Sequence, residues 1–147
     1  LRNAYDNALK FADLIMFESF ISGREITVPI VGDKSFPIVE IVPKNNLYDF
    51  ECKYTLGMSE YFCPADIDIN LSRDIRSIGL KIHKLLECNH YSRVDFLLDD
   101  KNELWFLEIN TLPGMTETSL LPKSLKAEGY CFNDVIQMIL DEATKNS

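Results

Sequence analysis

The sequence predicts an α+β fold, a mixed sheet packed by helices. Two observations carry the prediction. Residues 24–43 and 91–109 contain short runs rich in valine, isoleucine, leucine and phenylalanine, broken by turn residues, as strands require. Residues 71–87 and 133–143 repeat their apolar positions at a helical period. With 147 residues, the chain suits one domain able to bury a core of its own.

The elements follow in order. Residues 4–12, AYDNALKFA, space their apolar positions as a short helix. LIMFESFI, residues 14–21, reads as a buried strand that ends at Ser22-Gly23. REITVPIVG and SFPIVEIVP read as two strands joined in a hairpin around Gly32-Asp33, with Pro29 suggesting an edge position or a bulge. From Pro43 to Asp68 the period is lost. The aromatics there argue for an ordered loop that folds over something.

Residues 71–87 then form an amphipathic helix with Leu71, Ile75, Ile78, Ile82, Leu85 and Leu86 on one face and Asn70 or Ser72 as cap. Residues 91–98 and 104–109 form a second hairpin. A short helix follows at 121–128, stopped by Gly129, and a last helix runs over 133–143.

Composition narrows the function. Apolar residues make up 46% and charged residues 26%, a soluble globular profile. A net charge of −8 argues against non-specific binding to nucleic acid or an anionic membrane. It leaves room for a bound nucleotide, since a few local cations can hold phosphates. No apolar run approaches the ~20 residues that span a bilayer. Cys52, Cys63, Cys88 and Cys131 have no CxxC spacing, and His83 and His90 complete no zinc motif, so the thiols are expected to be reduced and the chain cytoplasmic. The chain starts at Leu1 without a methionine and enters a helical pattern at once, which reads as the start of a fragment or an excised domain.

The second hairpin carries the chemistry. Centring its turn on Lys101-Asn102 sets Asp95 opposite Glu108 and Arg93 opposite Asn110, all four on one face. Val94, Phe96, Trp105 and Ile109 then take the other face. Opposed carboxylates repel unless something positive lies between them. A divalent metal answers that need, and Arg93 adds a positive group suited to a phosphate or an oxyanion. The other reading is an ordinary half-exposed hairpin with two solvated acids. After Asn110, NTLPGMTETSL has no hydrophobic period. Gly114 permits close approach of the backbone to a ligand, and Ser119 and Leu120 open a helix whose free N–H groups favour an anion. A connecting loop with a helix cap is the alternative.

RVDFLLDDKNELWFLEINTLPGMTETSLLPKSL closely resembles the C-terminal signature of the D-alanine–D-alanine ligases, in the ATP-grasp superfamily. FESFISGREITV and PIVEIVPKNNLYDFECKYT match the same family upstream, in the right order. The resemblance implies an ATP-grasp C-terminal subdomain over 1–147, a mainly antiparallel sheet flanked by helices. It also implies that the N-terminal domain and most of the small ATP-binding lobe are absent, and that this piece alone is inactive.

By resemblance, Asp95, Glu108 and Asn110 hold two Mg²⁺ ions, or Mn²⁺ in their place, against the phosphates of ATP. Arg93 and the backbone N–H at Gly114 stabilise an acyl phosphate and the tetrahedral intermediate. Ser119 and Leu120 hold the carboxylate of the second D-alanine. Glu18, Ser19, Phe20 and Ile21 meet the adenine edge, Glu25 binds the ribose hydroxyls, and Leu97 and Leu107 border the adenine pocket. Strict alternation puts Leu107 on the face away from Glu108, so the ladder is expected to be bulged or shifted if both leucines serve. LYDFECKYT matches the family's closing loop, with Lys53 reaching the γ-phosphate and Tyr54 the second substrate pocket. Cys52 and Phe50 depart mildly from the family's usual alanine and tyrosine. Tyr54 favours D-alanine over D-lactate.

The implied reaction joins two D-alanines through an acyl phosphate, releasing ADP and phosphate, for peptidoglycan precursors. A homodimer is implied for a full-length chain, with no nucleic-acid or membrane partner. Two other functions stay open. One is an ATP-grasp ligase for another small amino or hydroxy acid. The other is a non-catalytic nucleotide-binding module.

Overall fold

A computed structural model describes residues 2–43 and 59–145. Among them six strands form one antiparallel sheet: β1 (Arg24–Val31), β2 (Lys34–Ser35), β3 (Val39–Pro43), β4 (Ser59–Phe62), β5 (Tyr91–Leu98) and β6 (Leu104–Asn110). The order is β4-β3-β1-β5-β6, with β2 paired to β1 beyond the end of β3. The described helices are α1 (Arg2–Ala8), α2 (Ile69–Leu85), α3 (Leu120–Ala127) and α4 (Phe132–Lys145). This is the α+β arrangement expected, and the hairpin at Gly32-Asp33 forms where expected, with Gly32 at φ +55°.

The two faces of the sheet carry separate cores. On one, Ile26, Val28 and Ile30 of β1 and Val94, Phe96 and Leu98 of β5 pack with Ile75 of α2. On the other, Val31 and Phe36 pack with Leu121 and Leu125 of α3 and Val135 of α4. Each fully buried aliphatic side chain contributes roughly 1.5–3 kcal/mol. Val31 shares its face with Glu25, Thr27 and Pro29, because side chains alternate along a strand. Helices α3 and α4 cover the Val31 end of that face and leave the Glu25 end for a cavity.

Several expectations change. Residues 14–21 form no strand: Leu14 is 92% and Phe20 86% exposed, and no described strand lies beside them to supply a ladder. The first helix ends at Ala8. The second strand of the first hairpin breaks into β2 and β3 around Phe36-Pro37-Ile38, since Pro37 has no N–H to donate. Pro29 lies neither at an edge nor in a bulge. It sits in central β1, opposite Arg93. Its carbonyl accepts from the Phe36 N–H at 2.9 Å, so its nitrogen also points toward the break at 36–38, where no ladder donor is needed.

Residues 59–62, where the sequence predicts a loop, form β4 against β3. Helix α2 starts two residues early, capped by Asp68, whose Oδ1 accepts from the N–H groups of Asn70 and Leu71. Its inward row is Ile75, Gly79 and His83, while Ile78, Leu85 and Leu86 are exposed. Gly79 permits this rotation: a Cβ there would stand 3.0 Å from Val28.

His83 is buried, with Nδ1 2.7 Å from the Ser92 hydroxyl of β5. Burial pushes its imidazole below the ordinary histidine range, against the upward pull of Asp33. The folded state therefore favours neutral His83. Its stabilising contribution is complete above the unfolded pKa of about 6.5 and is lost as pH falls from there through the lower folded value. Between pH 7 and 5 the melting temperature of the natural sequence is expected to fall more steeply than that of His83→Gln, as thermal unfolding followed by circular dichroism would show. Parallel curves would remove His83 as the cause.

Candidate active site

The β5–β6 hairpin is built by its turn. Asp99 accepts from the N–H groups of Lys101 and Glu103 and from Trp105 Nε1, and these bonds hold its carboxyl below the usual carboxylate range. Asn102 takes the left-handed conformation at φ 62° that asparagine tolerates. From there Leu98 pairs with Leu104, Leu97 with Trp105 and Phe96 with Phe106. The register then shifts between Asp95 and Phe96, and Asp95 pairs with Glu108, Val94 with Ile109 and Arg93 with Asn110.

The expected pairing of the four polar residues is observed, with one extra residue, Leu107, inserted as a bulge. A bulge suspends strict alternation and re-aims side chains, so the parity conflict at Leu107 disappears. It also corrects Trp105, which pairs with Leu97 and so shares the face of the acids, while Phe106 takes the core face and meets Phe96 edge-on at 6.2 Å.

Strand β1 lies on the other side of β5, with Glu25 opposite Leu97 and Thr27 opposite Asp95. One face of three adjacent strands thus gathers Glu25, Thr27, Arg93, Asp95, Leu97, Glu108 and Asn110. A cavity of about 370 Å³ opens there. Glu25, Arg93, Asp95, Glu108 and Asn110 line its floor. Gly114, Thr118, Ser119 and Leu120 line one wall, and Tyr61 of β4 another.

Asp95 is almost buried and its charge is balanced. Arg93 grips it with both arms, Nε to Oδ1 at 2.9 Å and Nη2 to Oδ2 at 2.7 Å, and Thr27 Oγ1 donates to Oδ1 at 2.5 Å. Glu108 stands opposite on exposed β6. Asn110 Oδ1 accepts from the Leu112 N–H at 3.0 Å, which orients the amide. Two carboxylates and an amide oxygen form a hard-oxygen donor set that suits Mg²⁺ or Mn²⁺, with waters and phosphates as the remaining ligands. Among the described residues no three His, Cys, Asp or Glu side chains converge, so such an ion would depend on the amide and on ligand oxygens.

The wall is a helix start. Ser119 is the N-cap of α3 but makes no side-chain cap bond. Its hydroxyl turns back to the Thr116 N–H at 3.0 Å and the Thr116 hydroxyl at 2.9 Å. The first turn of α3 thus keeps N–H groups for an anion. A Cβ on Gly114 would stand 3.1 Å from Ser119 Oγ, so glycine permits this close loop. Lys123, one turn into α3, places its ammonium 4.5 Å from the Tyr61 ring centroid and braces that wall by a cation–π contact.

Not every expected residue joins the cavity. Glu18, Ser19 and Phe20 are exposed and Ile21 half-buried, in an irregular stretch before β1 and outside the lining. That stretch enters the sheet at Gly23, where a Cβ would come 2.7 Å from the Leu98 carbonyl oxygen. Leu97, opposite Glu25 in the ladder, and Leu107 do not line the cavity. Lys53 and Tyr54, with Phe50 and Cys52, lie outside the described residues. Thr27 and Tyr61 were missed. Thr27 reads as an ordinary strand threonine, and Tyr61 falls in a segment without sustained period, although SEYF itself alternates.

The chain matches the family model described as D-ala D-ala ligase C-terminus over residues 1–141. It is 45% identical over 144 residues to the D-alanine–D-alanine ligase of Geobacter sulfurreducens, covering 97% of this chain and 46% of that protein. It resembles the crystal structure of the D-alanine–D-alanine ligase of Bacillus anthracis complexed with ATP, with a TM-score of 0.72 and 31% identity over 87% of this chain and 40% of that one. The VanG D-Ala:D-Ser ligase of Enterococcus faecalis gives a TM-score of 0.72 at 30% identity, over 83% and 36% of the two chains. The chain therefore spans about half the length of the relatives it matches. Among the described residues no helix is long and apolar enough to cross a membrane.

Proposed function

The chain belongs to the D-alanine–D-alanine ligase C-terminal family, and from that premise we propose that it is the ATP-grasp portion of an enzyme joining two D-alanines at the expense of ATP. The observation that carries this is the single cavity shared by Arg93, Asp95, Glu108 and Asn110 with the start of α3. A purely binding module has no need of an arginine, two acids and an amide beside an anion-binding helix start.

The carboxylate of the first D-alanine attacks the γ-phosphorus of ATP, the bond to the β-phosphate oxygen breaks, and ADP leaves. The amine of the second D-alanine then attacks the acyl phosphate carbonyl. Phosphate leaves and the amine loses a proton. Asp95, Glu108 and Asn110 would hold two Mg²⁺ ions, which supply charge neutralisation at the transferred phosphoryl group. Arg93 and the Gly114 N–H stabilise the negative charge that develops on oxygen. Ser119 and Leu120, at the start of α3, receive the carboxylate of the second substrate.

Glu25 takes the ribose hydroxyls, and Glu18 to Ile21, Leu97 and Leu107 the adenine. Lys53 and Tyr54 serve a closing segment that keeps water from the acyl phosphate. The product suits peptidoglycan synthesis in the cytoplasm by a homodimeric enzyme.

The test is calorimetry and turnover on the full-length protein carrying this chain. Binding of Mg²⁺·ADP and D-alanine-dependent ADP release are expected, and no release from the 147-residue piece alone. Full-length protein that binds no Mg²⁺·ADP would sink the enzyme reading. The likeness to a D-Ala:D-Ser ligase keeps a second reading in view, in which the second substrate is another small acid. Faster turnover with D-serine or D-lactate than with D-alanine would favour it.

A further inference from the structure

We propose that Thr27 is the positioning residue for the cation-binding carboxylate: it anchors Asp95 Oδ1 from the neighbouring strand, so that Oδ2 is the oxygen passed between Arg93 and a divalent ion. The inference rests on the reading of Asp95 as a cation ligand.

Thr27 is 0% exposed and stands opposite Asp95 in the β1–β5 ladder. Its Oγ1 lies 2.5 Å from Asp95 Oδ1 and 3.3 Å from the Val94 carbonyl oxygen. One hydroxyl carries one hydrogen, and the shorter distance and the charged acceptor assign it to Asp95. A valine would fill the same volume without burying a hydroxyl, so packing alone gives no reason for threonine here.

The two carboxylate oxygens are held differently. Oδ1 is fixed by a fully buried hydroxyl and by Arg93 Nε at 2.9 Å. Oδ2 is held by Arg93 Nη2 at 2.7 Å, from a side chain that is 18% exposed and borders the open cavity. Arg93 is itself a cation, and a divalent ion bound at Oδ2 would repel it, so the loaded site draws the guanidinium off Oδ2 and toward the phosphates. Thr27 is neutral and buried, and it stays. Without it, the broad χ2 torsion of aspartate would let the carboxylate turn once Arg93 lets go. A partner of this kind, behind the ligand itself, commonly alters metal affinity 10- to 100-fold.

The test titrates Mn²⁺ into full-length protein saturated with ADP, for the natural sequence, Thr27→Val and Thr27→Ser, with thermal unfolding of each unloaded protein. Thr27→Val is expected to raise the Mn²⁺ dissociation constant about tenfold or more, and Thr27→Ser to restore it. A purely structural role would move the melting temperature and leave Mn²⁺ affinity alone. Thr27→Ala removes the hydroxyl with less bulk and gives the same reading should Thr27→Val not fold. Unchanged Mn²⁺ affinity in the hydroxyl-free variants, or a serine variant as weak as the valine one, overturns the assignment of Thr27. A natural sequence that binds no Mn²⁺ in the presence of ADP overturns instead the cation-site reading on which it depends.

Discussion

Glu108→Gln in the full-length protein is expected to abolish most metal-dependent turnover while leaving the fold intact. The change keeps the shape of the side chain and removes its charge. Glu108 is exposed on β6, and the β5–β6 ladder that places it opposite Asp95 is made by backbone groups. Thermal stability should therefore hold, and loss of repulsion between opposed acids offsets part of any cost. Under the proposed mechanism the carboxylate helps hold the ions that neutralise the transferred phosphoryl group. Its loss should cost about 3–4 kcal/mol of transition-state stabilisation, roughly 200- to 1000-fold in kcat. Steady-state ADP release over a Mg²⁺ series measures this. Wild-type turnover in the variant would remove Glu108 from the cation site.

Arg93 should show the second large effect, on activity and stability together. Its guanidinium holds Asp95 through two hydrogen bonds, and the Asp95 side chain is only 5% exposed. Arg93→Ala would leave that carboxylate inside the fold, held by the Thr27 hydroxyl. Breaking a buried pair from one side costs about 3–5 kcal/mol; partial access of Arg93 to water and the surviving threonine bond bring the expected loss to roughly 2–4 kcal/mol. Turnover should fall on the order of 10²–10³-fold, since the same group is proposed to meet the developing oxyanion. Arg93→Lys separates the two roles. It retains a charge near Asp95, and so much of the stability, but cannot form the paired geometry, and turnover should stay well below that of the natural sequence. Urea denaturation beside kcat on the three proteins is the measurement. An alanine variant matching the natural sequence in both would place Arg93 outside the site.

The hairpin shows how far local reasoning reaches. Placing Lys101-Asn102 at its centre pairs Asp95 with Glu108 and Arg93 with Asn110, as observed. Leu98 pairs with Leu104, however, so the turn centres on Lys101 and the bulge restores that pairing of the polar residues. The bulge at Leu107 does not follow. An extra residue shifts one half of the ladder against the other, and the sequence that permits it reads the same as one that does not. Trp105 therefore lies on the face opposite to the one strict alternation predicts, and the parity conflict at Leu107 is the one visible trace of the irregularity. Helix α2 repeats the lesson in another form. Its period was legible, yet the inward row was set by Gly79, which lets the helix settle against Val28.

The longer-range partners were not legible at all. Thr27 meets Asp95 across 68 residues of chain, and Lys123 meets Tyr61 across helix α2 and the β5–β6 hairpin. Nothing in the local pattern distinguishes Thr27 from a packing threonine. Pro29 looked like an edge residue because a proline disrupts a ladder. Only the break at 36–38 in the neighbouring strand lets it sit in the centre.

The sequence by itself determined the type of nearly every element from residue 24 onward, the place of both hairpin turns, and the set of polar residues that share the β5–β6 face. Those features depend on period, turn chemistry and alternation, which act over a few residues. The tertiary structure alone decided that residues 14–21 find no ladder, that α3 and α4 cover half of one sheet face and leave the other half open, and that Thr27 and Arg93 together hold Asp95. Those outcomes depend on which distant surfaces bury each other, a balance summed over the whole sheet that no short stretch of the chain contains.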